Sequence, residues 1–475
     1  MSNRPHPFGS ALIVVVALAL AATACTATGT SGTTGTNPTP SLSSTTSTVD
    51  ALVVNTTTTT APPAVKTDGV TVTDDTIYLG LLADVTGPFS GTVIDVLDAQ
   101  IAFWSKTNAE GGIAGRRIEL LIENTGYSPA LHMEKYAALA DKVVMIAHST
   151  GSPHTLAILP DLVANHHLAV PVTWYSGWSD PTLGANVLET GSNYCMEAMN
   201  TISWLAADFE QRTGEKPDLA IATVPGDYGG DSAAGAMYAA TELGLPVVWD
   251  GAGQVDPTDI HHVAEHIADS SADLTWLAAD PLTLAGLVGT ALQLGYTGQW
   301  SVSMPTFSDR LLGTALGDYI ADNMYMSAMM APLGADVQGM AEVLEVLKEK
   351  YPNRYPAAGM VEGYLEFSVT KRVLEYAAEL GDMTPAGVVA AAQGIGSLSY
   401  EGLSPSNLFS GDANSTVTRA TAIYKPNKEM FDAQGGLGAS LGNGGISAMV
   451  KITDFFASDL AANYDFQGPC YVVGG

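Results

Sequence analysis

The sequence predicts an α/β protein built from two doubly wound parallel-sheet lobes, and three observations support this prediction. The 475 residues are too many for one ordinary domain but fit two lobes of common size plus a tail. Hydrophobic residues make up 46% of the chain, which is enough to form cores. From Thr76 onward, short apolar runs alternate with helical patterns, and this order predicts parallel strands covered by helices on both faces.

The chain is strongly acidic, with 49 Asp and Glu against 19 Lys and Arg and a formal net charge of -30. A surface of this charge repels nucleic acid and anionic lipid headgroups. We therefore exclude DNA and RNA as partners.

The first 25 residues have the features of a lipoprotein signal peptide. Arg4 precedes the apolar run Ala11–Ala22, which is too short to span a bilayer but has the length of a signal-peptide core. The motif Ala22–Cys25 resembles a bacterial lipobox, which implies that Cys25 is diacylated. Two lipid chains on one residue suffice for stable anchoring, so we expect an exported protein held at the outer face of the cytoplasmic membrane or in the periplasm. The alternative is an ordinary signal peptide cut near Ala24.

Residues 26–74 are mostly Thr, Ser, Gly and Pro and include the run Thr56–Thr60. Such a segment has little to bury, so we predict a disordered tether between the anchor and the folded body.

The predicted first lobe, residues 75–192, alternates strands and helices. Ser128-Pro129 and Ser152-Pro153 predict two of the helix starts, because Ser caps a helix and Pro suits its first position. The predicted strands are Ile77–Leu82, Arg117–Ile122, Val143–Ala147 and Ala169–Thr173. The predicted helices are Val93–Asn108, Ser128 to about Asp141, and Ser152 to about His166.

The predicted second lobe, residues 193–327, repeats this order. Its strands are Leu219–Val224, Val247–Asp250, Leu274–Ala278 and Gln299–Val302, and its helices are about Met196–Arg212, Ser232–Leu243, Ile260–Ala268 and Leu284–Leu294. Met324–Met329 is predicted to be a strand leading back to the first unit. Residues from about 328 to 400, with helices near Val337–Lys350 and Gly359–Leu380, return to the first lobe. Residues from about 401 to 475 belong to the second lobe and its C-terminal tail.

Cys195 and Cys470 are the only thiols left after lipidation of Cys25. Export permits their oxidation, and we predict a disulfide that ties the C-terminal tail to the start of the second lobe. The alternative is two buried thiols.

Four segments, in this order, resemble the periplasmic binding protein family 6, the type I family typified by branched-chain amino acid and amide binders. They are Ile77–Phe89, Asn108–Leu120, Asp227–Gly229 and Leu294–Trp300, and the resemblance covers roughly Thr76 to Asp382. It implies a multi-strand hinge between the lobes and a monomer without a cofactor or metal. It also implies a protein that passes a small polar ligand, such as an amino acid, amide or carboxylate, to an ABC transporter permease.

The ligand site is expected in the cleft, because open parallel sheets bind ligands beyond the carboxyl ends of their strands and hinge closure buries them. A polar turn follows one strand and opens a helix, and its hydroxyls and free N–H groups suit a carboxylate. This turn contains Ser149, Thr150, Gly151 and Ser152. Ser152 has the alternative role of a helix cap. Thr86, after the first strand, is equally consistent with ligand contact and with a plain turn.

Thr173, Trp174, Tyr175 and Ser176 follow the next strand. The resemblance places this loop in the first lobe's pocket, where aromatic rings offer a stiff stacking surface. The alternative is packing between the lobes.

The second lobe contributes Asp227, Tyr228, Asp280 and Met304 at its strand ends. In amino-acid-binding members a carboxylate of this lobe neutralises the ligand ammonium. No acid follows the strand ending near Val302 at the matching position. Asp280 could take this role instead, but the difference puts an amino acid as the ligand in question.

Three alternatives complete the sequence analysis. In the run His261–His266, two imidazoles, His262 and His266, lie at i and i+4 on one helix face, a spacing that can bind zinc, but a polar exposed face is expected because no partner motif accompanies them. A sensor that presents its ligand to a membrane receptor would have the same sequence features. A cell-envelope enzyme is disfavoured, because the sequence shows no metal motif, nucleophile elbow or phosphate loop.

Overall fold

The computed structural model describes residues 65–181 and 183–473. The predicted signal peptide, the predicted lipidation site Cys25 and residues 26–64 of the predicted tether lie outside the described residues. Within the described residues, no helix combines the length and hydropathy needed to cross a membrane. The chain contacts the body as early as Lys66, inside the segment predicted as tether, where the Lys66 ammonium lies 2.8 Å from the Asp382 carboxylate.

The first sheet contains four parallel strands, β1 Thr76–Ala83, β2 Arg117–Asn124, β3 Met145–Thr150 and β4 Ala169–Val172, in the order β2-β1-β3-β4. Helices α1 Ser90–Ala109, α2 Pro129–Leu139 and α3 Ser152–Asn165 connect them. The chain starts at β1 and winds outward in both directions, so the strand order reverses between β1 and β3. A crevice for a ligand forms at such a reversal.

The second sheet begins with five parallel strands, β5 Leu219–Thr223, β6 Val247–Gly251, β7 Leu274–Ala278, β8 Gln299–Val302 and β9 Met324–Ala328. Its helices are α4 Tyr194–Thr213, α5 Asp227–Leu243, α6 Ile260–Ser270, α7 Pro281–Gln293 and α8 Gly317–Asn323. The strand β9 pairs with β8. The segment predicted to lead back to the first unit is therefore part of the second sheet, and the return follows it.

The chain then crosses back and packs α9 Met340–Lys350, α10 Gly359–Leu380 and α11 Pro385–Ala392 on the first lobe. A small antiparallel pair follows, β10 Ser397–Leu398 with β11 Asn407–Leu408, and then α12 Ala413–Thr416. The last elements are β12 Ala422–Pro426, α13 Lys428–Ala433, β13 Met449–Lys451 and α14 Asp459–Asn463. The strands β12 and β13 are antiparallel, and they complete the order β13-β12-β9-β8-β7-β5-β6.

Three connections between the lobes form the hinge, and they are hydrogen-bonded to one another. The Gly191 N–H donates to Asn407 Oδ1 at 3.0 Å, and Asn407 Nδ2 donates to Thr418 Oγ1 at 2.9 Å. Ser404 Oγ donates to the Met329 carbonyl at 3.0 Å. The predicted α/β class, with two doubly wound lobes and a multi-strand hinge, is confirmed.

Cys195 at the start of α4 is joined to Cys470 by a disulfide across a sequence separation of 275 residues. The adjacent tail contacts the first lobe, because the Tyr175 hydroxyl donates to the Tyr471 carbonyl at 2.8 Å and the Cys470 N–H donates to Ser176 Oγ at 2.8 Å. The tail is therefore covalently fixed to one lobe and hydrogen-bonded to the other.

Candidate functional site

A cavity of about 780 Å³ lies where the strand ends of the two lobes face each other. The first lobe contributes residues from the ends of β3 and β4, and the second lobe contributes residues from the ends of β5 and β8. Helices α1 and α10 form a further wall. The predicted residues that line this cavity are Thr150, Gly151, Ser152, Thr173, Trp174, Tyr228 and Met304.

Hydroxyl groups are concentrated at the end of the cavity beside α3. Gly151 ends β3 with a φ of 94°, a conformation that favours glycine and turns the chain into the helix. Ser152 Oγ pairs with Thr173 Oγ1, and both residues are buried. Thr150 Oγ1 lies 2.8 Å from His148 Nε2. This end of the cavity therefore brings three hydroxyls to the start of α3, which suits an acceptor group of a ligand.

Ser149 does not reach the cavity, because β3 extends to Thr150 instead of ending at Ala147. Successive side chains of a strand point to opposite faces. Ser149 Oγ accordingly lies beneath the sheet, 2.7 Å from Thr155 Oγ1 and 3.1 Å from His132 Nε2. The segment Ser149–Ser152, predicted as a polar turn, is therefore divided, because Ser149 and Thr150 belong to β3.

The aromatic loop divides between the cavity and the contact between lobes. Trp174 lines the cavity and its Nε1 donates to the Thr190 carbonyl at 2.6 Å. Tyr175 reaches the C-terminal tail instead. The Ser176 N–H donates to Asp231 Oδ2 on α5 at 2.8 Å, across the two lobes. Packing between the lobes, the alternative interpretation of this loop, accounts for Tyr175 and Ser176.

The two predicted carboxylates of the second lobe are outside the cavity wall. Asp280 caps α7, since its Oδ1 accepts from the N–H groups of Leu282 and Thr283. Asp227 begins α5, and burial raises its pKa to about 6, an increase that the Ser152 side chain of the first lobe partly offsets. Thr86 is also outside, and its hydroxyl is hydrogen-bonded to Asn124.

Sequence reasoning missed most of the apolar wall and the one carboxyl group in it. Glu362 on α10 is 2% exposed and lines the cavity. The sequence did contain a signal for its burial. Glu362 is flanked by Met360, Val361 and Gly363 in a predicted helix, and such neighbours indicate a buried position. The other missed residues are Phe89, Thr92, Val93, Val96, Tyr127, Val172, Tyr194, Pro305, Phe307, Met330, Ala358 and Gly359.

A second cavity of about 560 Å³ extends the first, because the two share Thr92, Met304, Phe307, Met330, Ala358 and Gly359. An ion pair between the lobes lies at its wall. Arg310 of the second lobe contacts both carboxylate oxygens of Asp95 on α1, at 3.0 and 3.3 Å. The two lobes are thus in contact at Ser176–Asp231, in the aromatic loop, and at Asp95–Arg310, beside the second cavity.

The chain matches a family model described as periplasmic binding protein over residues 76–430. It belongs to the periplasmic binding protein family. The resemblance seen in the sequence is therefore confirmed for this binding protein, and membership implies an exported protein. No curated protein matches the chain in sequence.

Solved structures similar to the binding protein are substrate-binding components of ABC transporters. The fatty acid ABC transporter substrate-binding protein from Thermomonospora curvata is 28% identical, with a TM-score of 0.74 over 85% of this chain and 97% of that chain. A branched chain amino acid ABC transporter from Thermus thermophilus with bound valine is 16% identical, with a TM-score of 0.66 over 82% and 97% of the two chains. A solute binding protein from R. palustris in complex with 4-hydroxybenzoate is 17% identical, with a TM-score of 0.63 over 81% and 97%. The last two show the shared fold, and together the matches support a solute-binding role.

Proposed function

We propose that this binding protein is the solute receptor of an ABC importer and that it captures a mainly apolar molecule with one carboxylate or amide end group, such as a fatty acid. The observation that carries this proposal is the lining of the cavity. Apart from Glu362 and the hydroxyls, the wall is formed by aliphatic and aromatic side chains. The sequence alone predicts a small polar ligand. The apolar wall instead favours a ligand whose polar group is attached to a larger apolar body.

The polar group is expected beside α3, where Thr150, Ser152 and Thr173 lie. The apolar body would then extend between Trp174 and Tyr228 toward the second cavity. Burying a methylene group stabilises a complex by about 0.8 kcal/mol, so an alkyl chain gains affinity with each carbon that the cavity accommodates. The similarity to the fatty acid receptor from Thermomonospora curvata supports this ligand class.

Closure of the lobes is the proposed signal to the permease. The contacts Ser176–Asp231 and Asp95–Arg310 join the two lobes and would be lost when the lobes separate. A ligand that touches both lobes stabilises this arrangement, and the permease is proposed to recognise it. A lipid on Cys25 would keep the receptor near the membrane.

The proposal is tested by identifying the ligand. Native mass spectrometry of the purified protein would show any molecule bound during expression. After removal of that molecule, calorimetric titration with a homologous series of fatty acids, with valine and with 4-hydroxybenzoate follows. Affinity should increase about fourfold per methylene until the cavity is filled. Binding of valine without binding of any fatty acid would overturn the ligand class.

Variants of the cavity wall locate the site. Ser152→Ala removes a donor to a charged group and should weaken binding about 10- to 100-fold. Trp174→Ala should also weaken binding, because it removes apolar contact area. His262→Ala is the control, since His262 lies on the exposed face of α6. Equal affinity in all three variants would place the ligand elsewhere.

A further inference from the structure

Glu362 combines burial with an unsatisfied oxygen at the ligand cavity. It lies on α10 and is 2% exposed. Its Oε1 accepts a hydrogen bond from Thr190 Oγ1 at 2.9 Å. Its Oε2 is buried and has no hydrogen-bond partner among the described residues. Leaving a buried polar atom without a partner is costly, so the position calls for a partner supplied by a ligand.

No cation compensates this acid. The described residues that line the cavity include no Lys, Arg or His. Burial, with repulsion from the Glu366 carboxyl one turn later, holds the pKa of Glu362 well above its ordinary value. A raised pKa favours the protonated form of Glu362, and a protonated carboxyl can donate a hydrogen bond from one oxygen.

The titratable groups that face Glu362 from its own helix and from neighbouring elements are either hydrogen-bonded to other residues or have a raised pKa. On its own helix, Glu366 accepts a hydrogen bond from Gln100 Nε2 of α1 at 2.6 Å and lies 2.9 Å from His148 Nδ1 of β3. Tyr400, from the segment after β10, is buried, and burial with the nearby Glu362 raises its pKa. Thr190 comes from the first hinge connection. The phenols of Tyr194 and Tyr228 line the same cavity, and burial raises the pKa of each.

We propose that Glu362, as a neutral carboxylic acid, donates a hydrogen bond from Oε2 to the carboxylate of the ligand and thereby selects an anionic head group in a cavity whose described lining residues include no Lys, Arg or His. Hydrogen bonds from a neutral acid to a carboxylate are short and strong. The proton shared between the two carboxyl groups stabilises the ligand carboxylate, as a Lys or Arg side chain does in other carboxylate sites. This inference rests on the proposed function, because it assigns a partner to the acid end of the same ligand.

Two substitutions of similar size separate a neutral donor from an ionised acid. Glu362→Gln keeps a neutral hydrogen-bond donor, whereas Glu362→Met keeps the volume and removes all hydrogen bonding. With a fatty acid at pH 7, we expect Glu362→Gln to bind within a few-fold of the wild type and Glu362→Met to bind about 10- to 100-fold more weakly. Circular dichroism melts of each variant without ligand establish that both are folded before titration.

Each other result overturns the inference in a defined way. Wild-type affinity in Glu362→Met would show that the residue does not contact the head group. Equal loss in both variants would show that the site needs an ionised carboxylate, as for a ligand ammonium. Failure of the wild type to bind any fatty acid would overturn the proposed function itself, and with it this inference.

Infrared difference spectra supply a readout that a purely structural role would not change. At pH 7, the ligand-free wild type minus Glu362→Gln should show the carbonyl band of a protonated carboxyl. Addition of ligand should shift this band to lower frequency, because its proton becomes hydrogen-bonded. Absence of the band would overturn the neutral state of Glu362.

Discussion

The ion pair between Arg310 and Asp95 offers a direct test of lobe closure. Asp95 belongs to α1 of the first lobe and its side chain is 5% exposed, whereas the Arg310 side chain of the second lobe is 37% exposed. The substitution Arg310→Met removes both hydrogen bonds to Asp95 and retains an apolar stem over the Tyr355 ring, whose centroid lies 4.8 Å from the guanidinium carbon. Asp95 would then be buried without a partner in the closed form and hydrated in the open form.

The size of the effect follows from this geometry. Hydrogen bonds to charged groups contribute about 1.5–3 kcal/mol, but solvent screening at the exposed Arg310 lowers this contribution. We therefore expect the closed form to lose about 1–2 kcal/mol, which weakens ligand affinity about 5- to 30-fold. Calorimetric titration with the ligand from the panel measures this change.

Arg354→Met is the matched control. Arg354 NH2 lies 2.5 Å from Asp98 Oδ2, one turn further along α1, and its side chain is 45% exposed. Both partners belong to the first lobe, so this pair does not depend on closure. We expect Arg354→Met to lower the melting temperature without changing affinity. Equal affinity in the wild type and Arg310→Met, or equal losses in the two variants, would refute the role of the Asp95–Arg310 pair in closure.

Three further predictions concern the anchor, the disulfide and pH. Cys25→Ser should move the protein from the membrane fraction to the soluble fraction, and continued partitioning into detergent would mean that another group anchors it. Alkylation of the denatured, unreduced protein should label neither Cys195 nor Cys470, and labelling of both would exclude the bond. Burial raises the pKa of Asp227 to about 6 and that of Asp231 to about 7, so the closed form binds more protons than an open form with ordinary Asp values. Acidification from about pH 8 to pH 5 should therefore favour compaction in small-angle scattering, and expansion would contradict this sign.

The fold was predictable because its signals are local and repeated. Each strand is a short apolar run, and helix starts such as Ser128-Pro129 satisfy backbone N–H groups directly, as the hydrogen bond from the Leu131 N–H to Ser128 Oγ shows. The segment Met324–Ala328 was predicted to be a strand, but its partners in the sheet were not predictable, because pairing depends on residues far away in sequence. Of its two neighbours in the sheet, β8 precedes it in the sequence and β12 follows it.

The candidate site was predictable only where strand ends define it. Thr150, Ser152, Thr173 and Trp174 follow strands of the first sheet and line the cavity. Glu362 lies in the first turn of α10, away from any strand end, where sequence position gives no indication of a cavity. Its exposure to the ligand space depends on how α10 packs beside α1, which is a tertiary property.

The disulfide also affects how the protein withstands proteolysis. The bond between Cys195 and Cys470 closes a ring that contains the second sheet and two of the three hinge connections. A single cut in any loop of this ring leaves both fragments in one covalent molecule as long as the thiols stay oxidised. Because β12 pairs with β9, an earlier strand of the ring, as well as with β13, a fragment held in place also keeps its hydrogen-bonded neighbours. A receptor nicked once outside the cytoplasm would therefore retain its ligand cavity.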